Sequence, residues 1–87
     1  MSAFVVLSEL VADPSALAPH REAHLAYLAG LKERGKLVLG GRFTDGRGGM
    51  YILSASDEAE ARRLAEADPY HVARLRSFVV RAWERRI

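Results

Sequence analysis

The chain of 87 residues has no cysteine. That excludes a disulfide framework, a thiolate nucleophile and a cysteine-bound zinc, and it suits a reducing compartment, so a cytoplasmic location is expected. Charge of one sign is also missing. Thirteen Lys and Arg face eleven Asp and Glu, leaving +2, and this mixture argues against a dedicated nucleic-acid binder. No apolar run approaches the roughly 18–20 residues of a membrane-crossing helix. The opening MSAFVVLSEL carries no basic segment ahead of its apolar stretch, so neither membrane insertion nor a signal peptide is expected.

What is present is a hydrophobic content of 49% without linker, repeat or low-complexity tract, which reads as one domain over 1–87. A chain this short buries only about 60–65% of the surface that its unfolded form exposes, so burial against a second subunit would help.

The order of elements can be read from pattern and punctuation. AFVVLSEL, residues 3–10, is a β-branched and aromatic run ended by the turn-prone ADPSALAP. From Pro19 to Arg34 the pattern is helical, with Pro19 in the first turn and Gly35 as a left-handed cap. KLVLGGRF, 36–43, and MYILSA, 50–55, form a hairpin around TDGRGG. Ser56 or Asp57 caps a second helix that stops at Asp68, because Pro69 drives the residue before it out of the α region. SFVVRAW, 77–83, supplies the last strand, after a short helical turn through YHVARL. The order β-α-β-β-α-β predicts an α+β, ferredoxin-like fold, an antiparallel sheet with two helices on one face. AFVVL and SFVV are apolar at successive positions, which predicts that both sheet faces are covered and that a second copy packs on the face the helices leave free.

Two polar residues interrupt the apolar stripes. At about 100° per residue, His24 lies within roughly 40° of Leu31 and Leu28, with Arg21 and Tyr27 about 60° to either side. On the second helix the same arithmetic places Asp68 beside Ala61 and Ala65, pointing inward at a helix C-terminus where the dipole disfavours negative charge. Such a carboxylate needs a partner, either His24 or the guanidinium of Arg21. If His24 and Asp68 meet, the carboxylate fixes the imidazole tautomer and prepares a general acid/base. The plainer expectation is a satisfied structural histidine and a helix-terminating aspartate.

R-x-x-H at Arg21 and His24, Tyr27–Leu28, ERGKLVLGGRF from 33 to 43 and A-x-x-L-A-E-A-D-P-Y from 61 to 70, in that order and spacing, resemble the YciI-like family over nearly the whole chain. The resemblance implies a dimeric α+β barrel akin to muconolactone isomerase, with a pocket in each subunit beside a catalytic His–Asp pair. Carried over by position, the pair is His24 and Asp68. Arg21 and Tyr70 would line the pocket and bind substrate, and Glu33, nine positions after the histidine, is a further candidate. The chain departs from the family at Gly40-Gly41-Arg42, where Gly-Pro is common. One branch of the family removes chloride from a chlorinated hydroxyquinol, so the resemblance implies a lyase or isomerase acting without a cofactor on a small ring compound. The alternative is a non-catalytic dimeric module that binds a small ligand or assists another enzyme.

Other signals carry less. His20 and His24 stand at i, i+4, a metal-gripping spacing, but without the Glu of HExxH no metal site is expected. RGGMYIL, 47–53, sits where RNA-binding domains of this topology carry stacking aromatics, yet Gly49 and Met50 precede Tyr51, so no RNA binding is expected. Arg74, Arg76, Arg81, Arg85 and Arg86 read as the wet face of the last strand and its frayed end.

Overall fold

A computed structural model describes residues 2–87. Its elements run β1 (Ser2–Leu10), a 3-10 turn (Pro14–Leu17), α1 (Ala18–Glu33), β2 (Leu37–Arg42), β3 (Gly48–Ala55), α2 (Glu58–Glu66), α3 (Pro69–Val72) and β4 (Arg76–Trp83). The strands form one antiparallel sheet in the order β2-β3-β1-β4. This is the ferredoxin-like arrangement expected from the sequence, with β1 and β3 central. No helix among the described residues is long and apolar enough to cross a membrane.

Alternation along β1 sets the inside. Phe4, Val6, Ser8 and Leu10 are buried, while Val5 and Leu7 between them face the other way and are half-buried. Tyr51 and Leu53 of β3 stand opposite Val6 and Phe4, and Val80 of β4 flanks Val6 from the other side. Leu31 of α1 and Ala61 and Ala65 of α2 close over this face with no exposed surface. The two alanines let α2 approach the sheet closely, and each large aliphatic side chain buried there contributes about 1.5–3 kcal/mol. The opposite face is open in the single chain: Leu39, Val79 and Trp83 are all exposed.

Local chemistry explains the boundaries. Gly35 takes φ +74° after α1, with Gly35 N–H donating to the Lys32 carbonyl and Lys36 N–H to that of Leu31, a Schellman closure. Asp57 caps α2 by accepting from Glu60 N–H, which settles the choice between Ser56 and Asp57. Gly48, which opens β3, sits at φ +141° against β1, and any side chain there would run into the Ser8 carbonyl. The tract before α1 is more ordered than a loop reading suggests, because Asp13 caps the 3-10 turn through Ser15 N–H.

Candidate active site

Between α1, the β2–β3 hairpin and the start of β4 lies a cavity of about 570 Å³, lined among others by Arg21, His24, Arg42, Tyr51, Tyr70 and Arg76. His24 is brought here by α1, where it and Leu31 are the two buried residues. Asp68 comes from the α2–α3 junction. It is not at the unfavourable end of a helix, as the continuous stripe suggests. Helix α2 ends at Glu66, Pro69 holds Asp68 in an extended conformation (φ −59°, ψ 125°), and Asp68 is the N-cap of α3. The carboxylate is stabilised there by a backbone donor, since Tyr70 N–H donates to Oδ1 at 2.9 Å.

Three donors converge on this carboxylate, which is only 1% exposed. His24 Nδ1 lies 2.7 Å from Oδ1, Tyr70 N–H shares that oxygen, and Tyr51 Oη–H donates to Oδ2 at 3.1 Å. Burial raises the affinity of Asp68 for a proton, but the hydrogen bond and charge of His24, the Tyr70 amide and the nearby His71 together outweigh it and hold the carboxyl below its ordinary value of 3.8. Burial first, then the Asp68 charge and hydrogen bond, push the Tyr51 phenol well upward, so it remains a neutral donor. An ionised carboxylate only accepts, so Nδ1 must carry the hydrogen. In its neutral form the imidazole then has its lone pair on Nε2, which makes no hydrogen bond to any described residue, on a ring that lines the cavity.

The Tyr70 ring stacks on His24 with centroids 4.0 Å apart and planes 15° from parallel. The guanidinium carbon of Arg76 stands 4.7 Å from the same ring centroid. Tyr70 thus contacts both the imidazole and the guanidinium. Arg76 shares the inward parity of Phe78 and Val80 on β4 and is half-buried, which corrects its reading as part of a wet face. Its Nε is buried with no partner, an arrangement that costs about 1–3 kcal/mol. A Cβ at Gly49 would collide with the Gly41 carbonyl oxygen at 2.5 Å, whereas Arg76 Nη1 lies 3.4 Å from the same point, at ordinary contact distance.

Arg21 lines the cavity but is exposed, and its side chain has no hydrogen bond or ion pair to another described residue; in particular it does not reach Asp68. Glu33 lies apart. It is exposed near the C-terminal end of α1 and lines a separate shallow depression with Ala26 and Arg34.

A second buried histidine escaped the sequence reading. His71 Nδ1–H donates to the Ala65 carbonyl at 2.7 Å, and its Nε2 accepts from Ser8 Oγ–H at 2.7 Å. Burial first lowers the pKa of His71 below its ordinary value of 6.5, and the ring stacks on Phe78 at 4.3 Å. Ser8 shares the inward alternation of Phe4, Val6 and Leu10, a signal that would have found it.

Fold and site together define a small α+β domain with a histidine–aspartate pair at an arginine-lined cavity. The sequence model of the family described as "YCII-related domain" matches residues 3–84, and the chain belongs to that family. The uncharacterized protein YjpA of Bacillus subtilis strain 168 is 28% identical over 65 residues, covering 75% of this chain and 76% of its own. Among solved structures, 5-chloro-2-hydroxyhydroquinone dehydrochlorinase (TftG) of Burkholderia phenoliruptrix AC1100, in complex with 2,5-dihydroxybenzoquinone, superposes with a TM-score of 0.81 at 27% identity, covering 94% of this chain and 93% of that one.

Proposed function

We propose that this protein is a small cytoplasmic lyase of the dehydrochlorinase type, working by cofactor-independent acid/base catalysis on a small cyclic metabolite. His24 is the acid/base and Asp68 orients it. In an eliminative step, Nε2 takes a proton from the substrate, the released electron pair forms a new double bond, and the leaving group departs with its own pair. The net loss is one proton and one anion, so neither oxidant nor reductant is needed. Tyr70 holds the imidazole plane by stacking and forms part of the substrate wall, with Arg21 at its rim.

The observation that carries this reading is the 2.7 Å contact of His24 Nδ1 with an ionised, buried carboxylate, which leaves Nε2 as the free base on the cavity side. The likeness to TftG supplies the reaction class. Purified protein mixed with 5-chloro-2-hydroxyhydroquinone is expected to release chloride, and His24→Gln to abolish the release while the protein stays folded. Chloride release unchanged in His24→Gln would refute the assignment. Stoichiometric binding without turnover would favour the ligand-binding module instead.

The working form is proposed to be a homodimer joined through the open sheet face, where Leu39, Val79 and Trp83 are 52%, 53% and 46% exposed. Sedimentation equilibrium is expected to give twice the 9.6 kDa chain mass, and Val79→Lys to shift it toward one.

A further inference from the structure

We infer that Arg76, rather than Arg21, is the anion-holding residue of the cavity, and that the ligand is a small planar organic acid bound as its anion. This rests on the reading of the cavity as the substrate site. It goes beyond that reading by fixing the charge of the ligand and the residue that selects it.

Four observations converge. The charged side chains that line the cavity are Arg21, Arg42 and Arg76, with His24; the one carboxylate close by, Asp68, stands behind His24 and outside the lining, so the wall itself carries positive charge in a chain of net charge only +2. Among these, Arg76 is half-buried, with its guanidinium against the Tyr70 ring and its Nη1 beside the Gly49 backbone, whereas Arg21 is exposed. No described residue offers Arg76 a carboxylate or a hydrogen bond, although its Nε is buried. A half-buried, unpaired guanidinium against a cavity presents a planar fork of donors suited to a carboxylate or enolate. Finally, Tyr70 links the two ends of the site. The separations of 4.0 Å and 4.7 Å from its centroid place the guanidinium carbon no more than about 9 Å from the His24 ring. Both groups line the same cavity, so an anion held on Arg76 lies within a small molecule's length of the imidazole. Both neighbouring walls are flat, which favours a flat ligand.

The test compares benzoate with its neutral isostere benzamide by calorimetric titration at low ionic strength. Wild-type protein is expected to bind benzoate at least about tenfold more tightly. Arg76→Met should remove that preference and Arg76→Lys should retain only part of it, since an ammonium lacks the planar fork. Both should leave benzamide within about twofold, with circular dichroism confirming the fold. Arg21→Met should keep the preference. If Arg76→Met does not fold, the Lys variant and the wild-type benzoate-to-benzamide ratio decide. Equal affinity for the two probes, no benzoate binding at millimolar concentration, or a preference lost in Arg21→Met and kept in the Arg76 variants would each overturn the inference. The two readings fail separately: chloride release that survives His24→Gln removes the catalytic assignment and leaves the charge preference standing, whereas a charge preference indifferent to Arg76 removes this inference alone.

Discussion

Replacing Asp68 by Asn removes one charge and little else, and the surroundings determine how the new side chain must sit. The backbone amide of Tyr70 demands an acceptor at the position of Oδ1, so the oxygen of the substituted carboxamide takes that place. That same oxygen faces His24 Nδ1. The imidazole therefore keeps its Nδ1–H tautomer, and the carboxamide nitrogen lands opposite Tyr51 Oη, whose hydroxyl turns from donor to acceptor. Three charge-assisted bonds, at about 1.5–3 kcal/mol each, become neutral ones of about 0.5–1.5. Offset by the desolvation that a neutral amide avoids, the net loss is about 1–2 kcal/mol. Asp68→Ala strands three donors and should cost about 3–5 kcal/mol, a large fraction of the 5–15 kcal/mol that such a domain has. The loss in Asp68→Asn must also depend on pH. The folded pKa of Asp68 lies below the ordinary 3.8, so its contribution is complete above that value and vanishes as pH falls through the folded one. Urea titrations of wild type and Asp68→Asn at a series of pH values should show a gap that is constant near neutrality and closes below about pH 4. Nitrogen shifts of the His24 ring should report the same tautomer in both proteins. A gap below about 0.3 kcal/mol at neutral pH, or one that persists in acid, would refute the account of an ionised, hydrogen-bonded carboxylate.

Three further outcomes are expected. Because the folded pKa of His71 lies below 6.5, its contribution to stability is present above that value and falls as pH drops below it; thermal melts between about pH 7.5 and 5 should show the decline, and His71→Gln should flatten it. Arg74, the one non-glycine residue described with positive φ (58°), occupies the left-handed position after α3, where Leu75 N–H donates to the Tyr70 carbonyl and Arg74 N–H to that of His71; Arg74→Gly should stabilise by about 0.5–1 kcal/mol in chemical denaturation. Gly48→Ala should cost more than about 2 kcal/mol, read as a lowered melting temperature, because its methyl group meets the Ser8 carbonyl at a φ that alanine resists.

Much of the architecture was legible. Glycine at 35, proline at 69 and the two β-branched end strands carry local signals strong enough to order the four strands and the two long helices, and β3 begins only two residues earlier than the pattern indicates; the 3-10 turn at Pro14–Leu17 was not foreseen. His24 was legible because helical periodicity is insensitive to what covers the helix. The position of Asp68 was found for a partly mistaken reason: the inward stripe was extended past the end of α2, although the preference of Asp before Pro for capping a new turn already pointed to α3. Tyr51, Arg76, His71 and Ser8 were missed because their roles depend on contacts far apart in sequence. Ser8 and His71 meet across 63 positions, and Arg76 looks like any surface arginine until β4 is registered against β1. Parity along a strand was the available clue, and residues 76, 78 and 80 share it.

The His24–Asp68 pair is fixed by helices, whereas the opposite wall of the cavity is a hairpin rich in glycine from 40 to 49. The His24–Asp68 pair and this glycine-rich part of the wall are therefore written in separate stretches of the chain. A change at Gly41, Arg42 or Gly46, which line the cavity, redraws its outline without touching His24 or Asp68. In this architecture the wall can vary through its turn while the elements that hold the pair stay as they are.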